Sequence, residues 1–153
     1  MTSFKVAKDS VKDTLQVRTL LVTPFNTVII SCFNDSDDPG VTLPTSFNWL
    51  NLLTTEFATN RYYLSGLLHG TCLDYGLNDA AYGINHGGNP NPWAGNLATL
   101  VAAGVSLYIC EKCLTDNGYD NSQLLPNITP VPFSVQYLID QQLTRSSMVI
   151  YDA

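Results

Sequence analysis

The sequence predicts an α/β fold with a mostly parallel central sheet and helices on both faces. Three observations carry that reading. Short apolar runs rich in β-formers recur at residues 27–33, 62–68, 105–110 and 148–151. They are nearly continuous in apolar residues, as strands covered on both faces of a parallel sheet are. Segments with helix caps and helical spacing fall between them, and strands that alternate with helices are joined by crossovers that make them parallel.

The elements follow in order. Residues 1–24 form an amino-terminal arm, in which Ser10 could cap a short helix carrying Val11 and Leu15, while 19–22 could equally be a strand. The arm either packs on its own domain or clasps a neighbouring subunit; residues 25–153 form one domain. The first strand, 27–33, ends in the acidic loop Asn34-Asp35-Ser36-Asp37-Asp38-Pro39-Gly40. A helix capped by Thr45 or Ser46 places Phe47, Leu50, Leu53 and Phe57 on one stripe. The second strand, 62–68, stops at His69-Gly70. A helix over 73–82, weakened by Gly76, leads into a loop over 83–90.

Asn91-Pro92 is the clearest helix start, since Asn caps and Pro suits the first turn. Trp93, Leu97, Leu100 and Val101 form its buried stripe and Gly104 its stop. The third strand, 105–110, runs into a short helix over 111–117 that ends at Gly118. A Pro-rich connection follows. Ser134 then caps a further helix, with Phe133 and Leu138 at the positions of a hydrophobic staple. Residues 148–151 are the last strand.

Composition bounds the function classes. The chain has 153 residues, 45% hydrophobic and 13% charged, which suits one folded core and excludes a disordered chain. So low a charged fraction also points to surface covered by other copies, or by neutral Asn, Thr and Ser. Net charge is −6, and four of the seven basic residues (Lys5, Lys8, Lys12, Arg18) precede Pro24. The rest carries Arg61, Lys112 and Arg145 against eleven of the thirteen acidic residues, a surface that repels phosphate backbones, so nucleic acid is not expected as a partner. No apolar run reaches the length of a membrane span, and the amino terminus lacks the apolar stretch of a secretory signal. The expectation is a cytoplasmic protein, or an extracytoplasmic one if a signal has been removed.

Chemistry is expected at the carboxyl ends of the strands, where loops and helix starts converge. His69, Cys110 and the acidic residues around Asp35 all fall there. Cys110 also opens a helix, whose free backbone N–H groups favour a thiolate; Lys112 adds to that effect and Glu111 opposes it. Cys110-Glu111-Lys112-Cys113 has the C-x-x-C spacing of a redox pair, in which one thiol attacks and the other resolves. A zinc site would need two more ligands from His69, His86 and Cys72, and no metal or cofactor is expected. Cys32 reads as a small buried apolar residue, and the plain reading of Cys110 is a space-filling strand end. Asn34-Asp35-Ser36 and Asn127-Ile128-Thr129 match the glycosylation triplet, a pattern that arises easily by chance.

From Phe47 to Ile150 the chain resembles the DsrE/DsrF-like family. The resemblance rests on ordered pieces: His69-Gly70, Asn89-Pro90-Asn91, Ala103-Gly104-Val105-Ser106-Leu107-Tyr108-Ile109-Cys110, Asn117-Gly118, Leu124-Leu125-Pro126, Pro132-Phe133-Ser134 and Leu138-Ile139-Asp140-Gln141-Gln142. It implies a three-layer α/β/α fold, assembly into trimers or hexamers, and a persulfide carried on a strand-end cysteine, which is Cys110 here. His69 matches a position near the same pocket. Cys113, Glu111, the arm and the acidic loop depart from the family's pattern.

Three functions compete. A sulfur-carrier or sulfurtransferase-like protein would take sulfur from a donor protein onto Cys110, with His69 and Lys112 as binding residues, and pass it to an acceptor thiol. A non-enzymatic homo-oligomer of the same fold would hold a small ligand or act as a scaffold. A Cys110/Cys113 dithiol would act as a redox switch.

Overall fold

The computed structural model describes residues 27–33, 54, 63–145 and 147–151. Within them five strands form one sheet in the order β4-β3-β2-β1-β5. These are β1 (Thr27–Cys32), β2 (Tyr63–Leu68), β3 (Ser106–Cys110), β4 (Ile128–Val131) and β5 (Met148–Tyr151). Every pairing is parallel, for example Cys32↔Leu68, Leu68↔Ile109 and Ile109↔Pro130. The chain therefore steps outward from β1 to the edge strand β4, then returns across the sheet to lay β5 on the other side of β1. An α/β architecture with a parallel sheet stands as expected.

Successive strand residues face opposite sides, which splits the core in two. Val28, Ile30 and Cys32 of β1 join Leu68, Leu107, Ile109 and Ile128 on one face. Three helices cover that face: α1 (Asp79–Asn85), α2 (Ala94–Ala102) and α3 (Glu111–Asp116). Ile29, Leu67 and Val131 point the other way, where Leu138 and Tyr137 of α4 (Ser134–Arg145) cover them. Each fully buried aliphatic side chain of this kind contributes about 1.5–3 kcal/mol.

Four local expectations are corrected. The helix expected over 73–82 is two pieces: a 3-10 helix at Gly70–Gly76, then α1 after a break at Leu77 and Asn78. Gly76 stands at the break and packs close to β3: a Cβ there would lie 2.5 Å from Ile109 Cδ1, so that side chain would have to shift. Asn78 then caps α1 by accepting the Ala81 N–H. The Pro-rich connection contains β4, since a proline is tolerated in an edge strand, where its missing N–H breaks no ladder. At α4 the first helical carbonyl belongs to Phe133, which accepts from Tyr137, so Phe133 and not Ser134 holds the cap position. Phe133 is also 45% exposed, which leaves the expected staple with Leu138 open.

Asn91-Pro92 lies in the turn before α2 rather than at its start: Trp93 holds the cap position, its carbonyl accepting the Leu97 N–H, while the Asn91 side chain accepts the Trp93 N–H. Its amide also donates to the Tyr75 and Leu77 carbonyls, tying α2 to the end of the 3-10 helix. Trp93 fills the space behind, edge-on to Tyr75 and Tyr82. The arm, the acidic loop and most of the helix expected near Phe47 lie outside the described residues. No helix among the described residues is long and apolar enough to cross a membrane.

Candidate functional site at the carboxyl edge of the sheet

Three strand ends build the site. Beyond Leu68 the chain stays extended for one residue, His69, whose N–H donates to the Cys32 carbonyl. It then turns at Gly70, where φ is +59° and a Cβ would fall 2.2 Å from the Phe33 carbonyl oxygen. Only glycine meets both conditions. The turn tucks the 3-10 helix under the end of β1, with Thr71 N–H donating to the Phe33 carbonyl. Cys72 is thereby brought to Cys32, and the two form a disulfide with a Cα–Cα distance of 5.8 Å. Cys32 is buried as expected, but as one half of a cross-link that sequence reasoning did not foresee.

The third strand end carries Cys110. It lies one step beyond the Leu68↔Ile109 pair, so its backbone runs alongside that of His69. Cys110 is the cap residue of α3, and its Sγ accepts the Cys113 N–H at 3.2 Å. The two cysteines are joined as a disulfide, with Cα atoms 5.2 Å apart. Their surroundings differ. Cys110 has no exposed surface, whereas Cys113 is half-buried and lines a groove of about 420 Å³ with Phe33, Gly70, Thr71, Asp74 and Asp116.

His69 is buried, and its Nε2 lies 2.7 Å from Ser31 Oγ on β1. Burial lowers its pKa below the usual 6.5, so the ring is neutral at neutral pH. Its ring packs against that of Phe33 at 5.1 Å. Lys112 points its ammonium to Asp116, one turn on, with both groups exposed. Glu111 meanwhile accepts from the Asn121 amide. The two charges between Cys110 and Cys113 in sequence are therefore engaged with other partners. His86, expected as a solvated loop residue, instead stacks on Tyr82 and meets Asp74 at 2.9 Å. No group of three or more metal-ligating side chains occurs among the described residues.

Ser31 and Asp74 were missed in the sequence. Ser31 faces the same side as Ile29, a position that alternation along β1 could have flagged as a buried hydroxyl in need of a partner. No local signal marked Asp74.

No family model matches the chain, and no curated protein matches it. A solved structure of similar shape is a protein of unknown function, MTH1491, from Methanobacterium thermoautotrophicum. It shares 15% sequence identity with a TM-score of 0.62, and the match covers 84% of this chain and 100% of that one. At that identity the likeness concerns the fold alone.

Proposed function

We propose that the protein carries out thiol–disulfide exchange through Cys110 and Cys113. The observation that carries this reading is the asymmetry of the pair: one cysteine half-buried and lining a groove, the other fully buried with its sulfur hydrogen-bonded. A partner thiolate attacks Cys113 Sγ and forms a mixed disulfide. The Cys110–Cys113 bond breaks, and its electron pair leaves on Cys110 Sγ, where the Cys113 N–H stabilises the thiolate. A second partner thiolate then attacks the partner's own sulfur, which releases the partner as a disulfide and the protein as a dithiol. The two thiol protons of the partner end on Cys113 and Cys110.

Limited reduction followed by alkylation and peptide mass mapping tests this. Cys110 and Cys113 should be labelled while Cys32 and Cys72 remain joined. In the reverse direction, with a partner supplied as its disulfide, the Cys113 thiolate of Cys110→Ser should displace one partner sulfur and accumulate as an unresolved mixed disulfide, and Cys113→Ser should abolish exchange. Equal rates of reduction for both pairs would remove the reading.

The sulfur-carrier function implied by the DsrE/DsrF-like resemblance is a second reading, favoured by the backbone hydrogen bond to Cys110 Sγ, which a persulfide-bearing residue would use. It requires the reduced pair and an opening that exposes Cys110. Incubating reduced protein with a persulfide donor should then add the mass of one sulfur atom, lost in Cys110→Ser. Addition that survives that substitution would exclude it.

Self-association is proposed with either reading. Val135, Ile139 and Leu143 form an exposed stripe on α4, and Leu143 is 80% exposed. Val135 and Leu143 sit symmetrically about Ile139, so a second copy running antiparallel would set each against the other. Sedimentation of Leu143→Glu tests it, a shift to monomer being the expected result.

A further inference from the structure

We propose that the Cys110–Cys113 pair acts on its own chain: as the protein matures, the pair passes its disulfide to Cys72 and Cys32 and so installs the buried cross-link. This rests on the exchange reading of Cys110 and Cys113 and names a substrate for it. Cys32 and Cys72 have no exposed surface, so an external oxidant does not reach them once the fold has closed. Cys113 stands between that interior and solvent. It packs against the buried cluster that contains Cys32 and Cys72, and it lines the groove. Other walls of the groove are immediate neighbours of the same two cysteines: Phe33 follows Cys32, and Thr71 and Leu73 flank Cys72. The 3-10 helix that carries Cys72 has Cα atoms within 8 Å of those of α3, which carries Cys113.

Separation in the chain sets the order of events. Cysteines 3 residues apart meet sooner than cysteines 40 apart, because the entropy of loop closure grows with length. An external disulfide, of glutathione or of a partner protein, oxidises the close pair first: the Cys113 thiolate displaces one external thiol, and the Cys110 thiolate displaces the other. The Cys72 thiolate then attacks Cys113 Sγ. The Cys110–Cys113 bond breaks, and its electron pair leaves on Cys110 Sγ, which accepts the Cys113 N–H. Cys32 next attacks Cys72 Sγ, the Cys72–Cys113 bond breaks, and Cys113 departs as a thiolate. One disulfide is consumed and one is formed. A second external disulfide returns Cys110–Cys113 to the joined state seen in the structure. Transfer runs in this direction because the product closes the longer loop and is sealed from attack.

Oxidative refolding of the full chain tests the proposal. Protein refolded under reducing conditions is freed of reductant, given oxidised glutathione, and sampled over time by alkylation and peptide mass mapping. Cys110–Cys113 should appear before Cys32–Cys72. Cys113→Ser should slow the closure of Cys32–Cys72 by about tenfold or more, since a linked sulfur outcompetes a free one. A second variant, Cys32→Ser with Cys110→Ser, keeps only Cys72 and Cys113 and should join them, which traps the intermediate whatever the folding rate of Cys113→Ser. Equal closure rates with and without Cys113, or no bond between Cys72 and Cys113 in the second variant, would overturn the transfer. Limited reduction of the native chain separates this failure from the failure of exchange itself. If external thiols still open Cys110–Cys113 selectively, exchange stands without the transfer; if they do not, both fall.

Discussion

The two cysteine pairs sit at one edge of the sheet and differ in separation and in exposure. Cys32–Cys72 closes a separation of 40 residues, and neither cysteine has exposed surface. Cys110–Cys113 closes a separation of 3, and one of its cysteines lines a groove. In the chain-entropy account a cross-link stabilises by limiting the unfolded chain, by about 4 kcal/mol for a loop near 40 residues and under about 2 kcal/mol for so short a loop. Accessibility runs the opposite way, because exchange needs an attacking thiolate to reach sulfur along its approach line. Separation and access together suit the first pair to a brace and, on the exchange proposal, the second to a reactive group.

The largest expected effect tests the brace. Replacing both Cys32 and Cys72 by alanine should cost about 4 kcal/mol and lower the melting temperature by about 10 °C, measured by calorimetry. The matching double substitution at Cys110 and Cys113 should cost less than half as much. Equal losses would break the distinction between the pairs.

Next comes the turn that delivers Cys72 to Cys32. Gly70→Ala demands a left-handed backbone from a residue with a Cβ and drives that carbon toward the Phe33 carbonyl. A loss of about 2–3 kcal/mol in urea unfolding is expected, with slower closure of Cys32–Cys72 on oxidative refolding. Normal stability and closure would mean that the turn does not set the brace.

How much of this was legible depended on the range of the interaction. β1, β2, β3 and β5 could be read to within a residue, because a buried parallel strand announces itself as a short apolar run. β4 escaped because Pro130 argues against a strand unless the strand is known to be at an edge, and edge position is a property of the whole sheet. The Cys110–Cys113 spacing is local and visible. The Cys32–Cys72 link is not, since connectivity among four cysteines cannot be deduced from sequence. Asn91-Pro92 marked the approach to a helix, two residues ahead of its cap at Trp93, and the hold of Asn91 on the Tyr75 and Leu77 carbonyls depends on where the 3-10 helix ends, which no local pattern states.

A smaller effect concerns His69, which lies between the two pairs. Its pKa is lowered by burial, so below 6.5 the unfolded chain takes up a proton that the folded chain refuses. Stability should therefore be fully present above 6.5 and fall as pH drops from there toward the lowered folded-state value. His69→Gln should remove that part of the pH dependence, seen as the difference between the two chains' urea midpoints from pH 7.5 to 5. Parallel curves would show that the buried ring contributes nothing to the linkage.

The smallest expected effect sharpens the reactive side. In sequence, Lys112 stands between the two cysteines as the obvious cation to favour a thiolate. In the fold its ammonium meets Asp116 four residues on, and both groups are exposed. An exposed pair at that spacing contributes about 0.5 kcal/mol or less, so Lys112→Ala should barely move the melting temperature. It should also leave the pH at which Cys113 becomes reactive unchanged in the reduced protein, measured with a neutral alkylating probe. A clear rise in that pH would show that the ammonium leaves Asp116 for the sulfur once the disulfide opens.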